Sequence, residues 1–320
     1  MKLLSYRSCL TNITRWFKRG VKELASPGIH ITAAPPFVYV STQSHSHICY
    51  RVNGPQEDRY QFEQHFTDSR ERSCTQHAVI DIIPEAENTR TADRLVLVTD
   101  KTSSSITALR QPHERTYKNA SETLFEAVLP HTVIRLQRGD IRPPWRKPTH
   151  ANTVPGVLTD DIIGACSDGT IYTFSIVSQP ARRLLRLIQN LIQAKQARDP
   201  AHHFTPVAGP QSGHIFDLLI NGAGGAQDGK IRARDVDPAY EEGGLAGPRH
   251  KHVDGDLLVR WREEGGRLES LLFDGGLVEK DVVGLFVEYG GRVDGFEAVG
   301  ADKMVVAVER WFGDVLMPVL

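Results

Sequence analysis

The chain has 320 residues, 40% of them hydrophobic and 24% charged, with a formal net charge of −1. That balance describes a folded chain of one large or two medium domains; it excludes a disordered polyelectrolyte and gives no global case for a nucleic-acid or membrane binder. The charge is uneven, since residues 235–320 carry 18 acidic and 9 basic side chains while residues 1–234 carry 21 acidic and 29 basic, so two units with different surfaces are expected.

Cys9, Cys49, Cys74 and Cys166 are scattered, with no C-x-x-C pair, as expected of reduced, buried thiols in a reducing compartment. The apolar start at Met1 to Leu4 is too short for a secretory core, and no run reaches the ~18 apolar residues of a membrane span. The expectation is an intracellular, soluble protein with no membrane contact.

In chain order, Ile13, Trp16, Phe17, Val21 and Leu24 fall on one helical face, which predicts a basic helix or flank over residues 1–27. Six bases oppose Glu23 there, and Arg15, Lys18 and Arg19 are candidate nucleic-acid contacts. Packing of the aromatics onto the next domain is the favoured reading of this stretch.

From residue 28 to 178 the period changes to alternation. Residues 37–40 and 48–52, 95–98 and 106–109, and 162–166 and 170–174 form three apolar pairs around short polar links, each a β-hairpin by composition. In the third, Asp168-Gly169 fits a tight two-residue turn with positive φ angles. Further strands are expected at 60–66, 76–83, 123–129 and 132–136. Repeats of four short strands, about 40–70 residues apart, fit blades of a β-propeller with inserted loops, although a β-sandwich also contains many short strands. The proline-rich stretch 142–155 reads as one such loop.

Residues 179–200 predict a connecting helix. Pro180 suits its first turn, and Leu184, Leu187, Ile188, Leu191 and Ile192 make an apolar stripe. Arg182, Arg183 and Arg186 lie mainly on the other face, a second candidate nucleic-acid contact. Residues 201–249 lose periodicity and read as a flexible glycine-rich insertion. Residues 250–320 predict a helical domain, with Asp254 capping a helix over 256–264, a helix over 278–289 ended by Gly290 and Gly291, and a last helix over 301–315.

Chemical motifs are sparse. Gly224-Gly225-Ala226-Gln227-Asp228-Gly229-Lys230 matches the start of a phosphate-binding loop, but Ile231 stands where a magnesium-holding Ser or Thr is needed. A nucleotide-dependent enzyme built on this run is the rival reading. The histidine pairs His45/His47, His202/His203 and His250/His252 lack the converging ligands of a zinc site, and His45 and His47 read as surface turn residues. No G-x-S-x-G, H-E-x-x-H or dinucleotide glycine fingerprint occurs. No active site, metal or cofactor is expected.

The run Gly164-Ala165-Cys166-Ser167-Asp168-Gly169-Thr170-Ile171-Tyr172-Thr173-Phe174, with Leu184-Leu185 and Gln189-Asn190, resembles the last blade and following helix of the cleavage and polyadenylation specificity factor A family. His252-Val253-Asp254-Gly255-Asp256-Leu257-Leu258 is similar to the start of that family's C-terminal helices, and Ala301-Asp302-Lys303 to the start of its final helix. The three stand in the family's order and cover roughly the C-terminal half. The family includes the large subunit of the damaged-DNA-binding complex and large RNA-processing subunits.

The resemblance implies a nuclear, non-catalytic scaffold. Its expected partners are WD-repeat receptors and a cullin-type ubiquitin ligase in DNA repair, or RNA-processing subunits, with DNA or RNA contact as a further expectation. It implies partner-facing positions at the strand around His30 and the turn at Asp168. The chain departs from the family in having room for about three blades, where a ring needs at least about four; a fragment of a longer product, or an unusual closure, is expected. The fold class expected is mainly β with a C-terminal α part: a partial β-propeller followed by a small helical domain.

Overall fold

A computed structural model describes residues 2–7, 15–56, 59–82, 93–111, 120–142, 154–197, 230–239, 251–273, 278–293, 296 and 300–316. It is mainly β, with a C-terminal helical part. The chain divides into two compact units, one of Met1–Leu124, His131–Gln137 and Gly164–Thr170, the other of Phe125–Pro130, Arg138–Ile163 and Ile171–Leu320.

The first unit opens with a hairpin of β1 (Lys2–Arg7) and β2 (Arg15–Val21), antiparallel with Tyr6 opposite Trp16. This corrects the helix expected over residues 1–27. Trp16, Phe17 and Val21 satisfy a helical stripe but are also strong strand formers, and Gly20 weakens a helix. A partner strand supplies the backbone hydrogen bonds, and the helical period loses.

Next comes a four-stranded meander of β3 (Gly28–Ala34), β4 (Phe37–Thr42), β5 (His47–Gln56) and β6 (Arg59–Thr67), hydrogen-bonded in chain order. A second sheet holds β7 (Cys74–Ile82), β8 (Asp93–Asp100), β9 (Ser105–Arg110) and β10 (Glu122–Val128), again in chain order. A third sheet has the order β11 (Val133–Arg138), β12 (Val157–Cys166), β13 (Ile171–Val177). All eight strands expected between residues 37 and 136, and both strands of the third hairpin, are present within a few residues of their expected limits. The reason is local: alternation against one apolar face fixes strand and register together.

The turn between β12 and β13 differs from the expectation. Gly169 amide donates to the Cys166 carbonyl at 3.2 Å and Cys166 amide to the Thr170 carbonyl at 2.9 Å, while Gly169 alone of the link has positive φ, +93°. This is a three-residue link with a bulge at glycine, so only Gly169 needs the left-handed conformation.

The first two sheets share an apolar cluster. Tyr39, Cys49 and Phe66 pack with Cys74, Val96, Val98 and Leu109. β3 lies at the edge of its sheet and β7 at the edge of the next.

In the second unit, α1 (Gln179–Gln196) starts at Ser178, whose hydroxyl accepts from the Ala181 amide at 3.4 Å. It is followed by α2 (Ala233–Val236), α3 (Gly255–Glu263), α4 (Leu268–Phe273), α5 (Lys280–Gly291) and α6 (Ala301–Leu316). Asp254 caps α3, its carboxylate accepting from the Leu257 amide at 3.2 Å. The α1 stripe, Leu184, Leu187, Ile188, Leu191 and Ile192, packs with Phe286, Met304, Val308, Trp311 and Phe312 in one dry core, each such burial being worth about 1.5–3 kcal/mol before entropy.

Three expectations are corrected here. α5 continues through Gly290 and Gly291 to a cap at Arg292, because a Cβ on Gly290 would sit 2.6 Å from Met304 Sδ; this glycine permits α5 and α6 to approach closely. The stretch expected as a flexible insertion includes residues 230–239, which are built into this unit: Ile231 bridges to Val278 and is fully buried, as is Val236. α4 was not anticipated, its six residues being too short for a period to show. The rest of that insertion lies outside the described residues. Among the described residues no helix is long and apolar enough to cross a membrane.

Candidate functional site: the β3 edge and the polar cluster beneath it

β3 alternates cleanly. Ile29 and Ile31 are exposed, at 48% and 50%, and Ala33 shares their face. His30, Thr32 and Ala34 are half-buried on the other face. An apolar row on an edge strand is a ready contact surface.

Beneath β3 lies a cluster of polar side chains from strand ends. His30 Nδ1 is 3.2 Å from His77 Nδ1, and Ser41 Oγ is 2.8 Å from that same His77 nitrogen and 3.4 Å from His47 Nδ1. The rings of His30 and His77 meet edge to face at 4.4 Å, those of His47 and His77 at 4.9 Å. Ser41 and His47 are fully buried and His77 is 1% exposed.

A β-bulge builds part of this arrangement. Cys74 pairs with Asp100 and His77 with Val98, so Thr75 and Gln76 together oppose Thr99. Thr99 Oγ1 replaces the lost ladder, accepting from the Gln76 amide at 3.1 Å and donating to the Gln76 carbonyl at 3.0 Å. The Gln76 side chain then spans outward: Oε1 accepts from the Leu136 amide at 2.8 Å, and Nε2 lies 3.3 Å from His30 Nε2.

A buried ion pair closes the cluster. Asp68 accepts from Arg72 Nε at 2.8 Å and from Ser46 Oγ at 2.6 Å, its side chain fully buried. Ser46 adopts a positive φ of 59°, and Cys74 Sγ lies 3.9 Å from its hydroxyl.

Burial sets the protonation states. Desolvation pushes His47 down to about 3, against an opposing pull from Asp68, and pushes His77 down to about 2, helped by His47 and His30. It lowers His30 too, and it raises the Cys49 and Cys74 thiols to about 12 and about 11. All three imidazoles are therefore neutral at pH 7, and both thiols are protonated and inert. Among the described residues no group of three or more His, Cys, Asp or Glu is placed to hold a metal ion.

The positions singled out from sequence are placed as follows. His30 turns its ring inward, so the outward face of its strand is offered by Ile29 and Ile31 instead. His45 is exposed as expected of a turn residue, but His47 is fully buried, which corrects its reading as a surface histidine. Asp168 is exposed and fixes its turn: it accepts from Thr170 Oγ1 at 2.6 Å and the Thr170 amide at 3.1 Å, and pairs with His131 Nδ1 at 3.2 Å. The Thr170 hydroxyl, foremost, holds its carboxyl below the usual range.

Arg15, Lys18 and Arg19 lie on β2, so the helical face expected to align them is absent. Arg186 is only 6% exposed and donates to the His252 carbonyl at 3.4 Å, which removes it from the expected basic face, since its aliphatic stem faces the α1 core. Arg182 and Arg183 are half-buried. Of the phosphate-loop run, residues 224–229 lie outside the described residues, and Ile231 is committed to its bridge with Val278.

Sequence reasoning missed Ser41, Gln76 and His77. Their only signal is that polar residues sit at the ends of otherwise apolar strands. The chain matches no protein-family model and no curated protein.

Proposed function

We propose that the chain is a non-catalytic scaffold of macromolecular complexes in the nucleus, and that its three successive sheets are blades of a partial β-propeller. The observation that carries the reading is the layout of the first two sheets. Each is a meander hydrogen-bonded strictly in chain order, their first strands β3 and β7 meet through His30 and His77, and their faces share one cluster. Blades packed around an axis have this order, with the first strand of each innermost. The helical unit, opened by a Ser-capped α1 and an Asp254-capped α3, agrees with the resemblance to the cleavage and polyadenylation specificity factor A family.

The surface proposed for protein partners is the β3 face of Ile29 and Ile31, with the Asp168 turn as a second position. The partners proposed are WD-repeat receptors and a cullin-type ligase, with RNA-processing subunits as the alternative set. Nucleic-acid contact through Arg15, Lys18, Arg19, Arg182 and Arg183 is secondary, because a few cations give only a modest, salt-sensitive attraction. A catalytic reading of the Ser41–His77 pair has less support: the serine is fully buried, and its base is neutral but sealed.

The test is proximity labelling from the chain in intact nuclei, followed by cross-linking mass spectrometry. Enrichment of ligase subunits and WD-repeat proteins, cross-linked near β3, supports the adaptor reading. Enrichment of polyadenylation or splicing subunits moves it to RNA processing. A chain that enriches neither contradicts the proposal.

A further inference from the structure

The hydrogen-bond direction at His30 Nε2 follows from one fixed donor. The Leu136 amide can only donate, so the Gln76 atom 2.8 Å away is the oxygen, and the opposite end of that amide, Nε2, is a donor. It points at His30 Nε2, 3.3 Å away, which must accept. A neutral His30 therefore carries its proton on Nδ1, which faces the lone pair of His77 Nδ1 at 3.2 Å and shares that lone pair with the nearer Ser41 hydroxyl at 2.8 Å. Gln76 thus ties β3 to β7 only while His30 Nε2 keeps a lone pair.

We propose that His30 is an acid-operated latch: one proton taken from solvent at Nε2 replaces the acceptor with a second donor, and edge strand β3 is released from β7. Gln76 cannot restore the bond by rotating its amide, because the Leu136 amide would then face an NH2 group. The charged ring also comes to lie beside two other histidines in a site where burial penalises charge.

His30 receives the proton first because it is half-buried, whereas His47 is fully buried and His77 1% exposed. The groups facing it are Ser41 from β4, His47 from β5, and Gln76 and His77 from β7. The one buried carboxylate of the cluster, Asp68, is held by Arg72 and Ser46, so it does not meet the new charge. Release belongs below the ordinary imidazole range, since burial lowers His30. This concerns the attachment of β3 and stands whether or not the chain is a scaffold.

The experiment is amide hydrogen exchange of the full chain, corrected for intrinsic rates, between neutral pH and about pH 4, which extends below the range in which ordinary imidazoles titrate. Wild type is expected to lose about tenfold more protection over residues 28–34 than over β8, the equivalent of about one pH unit of linkage; the loss common to both strands follows from the buried His47 and His77. In the His30→Gln variant residues 28–34 are expected to lose no more protection than β8, because its side-chain oxygen accepts from Gln76 without titrating. A wild-type loss over 28–34 no greater than that of β8, or the same extra loss in His30→Gln, overturns the proposal. Should that variant fail to fold, the wild-type ring decides: nitrogen NMR must find His30 protonated at Nδ1 at neutral pH, and a proton on Nε2 overturns the latch.

Discussion

The two units solve the problem of a core in opposite ways. The helical unit buries one continuous apolar cluster, from Leu184 through Phe286 to Phe312, and its few buried polar groups work at helix ends, as when Gln189 accepts from the Asp254 amide at 2.9 Å. The β unit buries apolar rows as well, but seals Ser41, Ser46, His47, Asp68, Arg72 and His77 among them. A dry core loses stability in proportion to volume removed; a polar core loses it when one partner of a pair is removed. The lesson is that the β unit is specified by directed bonds, and its buried histidines make it sensitive to acid.

The largest expected effect breaks the polar core. Arg72→Leu leaves the Asp68 carboxylate, fully buried, without its cation and costs about 3–5 kcal/mol. In urea titration the β-unit transition should shift while helical circular dichroism melts at its original midpoint. Phe312→Ala, in the dry core, costs about 3–5 kcal/mol and should shift the helical transition instead.

Acid sharpens the contrast. His47 and His77 stay neutral in the folded chain down to about 3 and about 2, whereas in the unfolded chain both take a proton near 6.5. Above that value the two states bind equal protons and stability is flat. Below it the unfolded state binds more, so stability falls with falling pH by about 1.4 kcal/mol per unit for each histidine. Urea midpoints at a series of pH values should show this slope, and His77→Gln should remove about half of it.

The smallest effect is at a helix end. Asp254→Ala deletes the acceptor for the Leu257 amide and costs about 1 kcal/mol, read as a lower helical midpoint with the β-unit midpoint unchanged.

The same contrast explains what could be read from the sequence. The α1 stripe and the hairpin at residues 37–52 announce themselves because each period repeats within a few residues. Trp16, Phe17 and Val21 fit a helical stripe and are also strong strand formers, and only a partner strand chooses between the two. The polar cluster has no period at all: Ser41 and His47 are six residues apart, but Ser41 and His77 are 36 apart and His30 and His77 are 47 apart. His45 and His47 carry the same turn composition, yet His45 lies in the link and is exposed while His47 opens β5 and is fully buried. Gln76 acquires its role from a bulge, which no composition signals.

The scaffold reading meets its most direct test in a binding titration of the purified chain against a purified WD-repeat receptor, a cullin N-terminal domain and RNA-processing subunits. Saturable binding to one of these, abolished by the paired change Ile29→Asp and Ile31→Asp at an unchanged urea midpoint, is the predicted result. Binding that survives both substitutions, or no binding to any of the three by a folded chain, contradicts it.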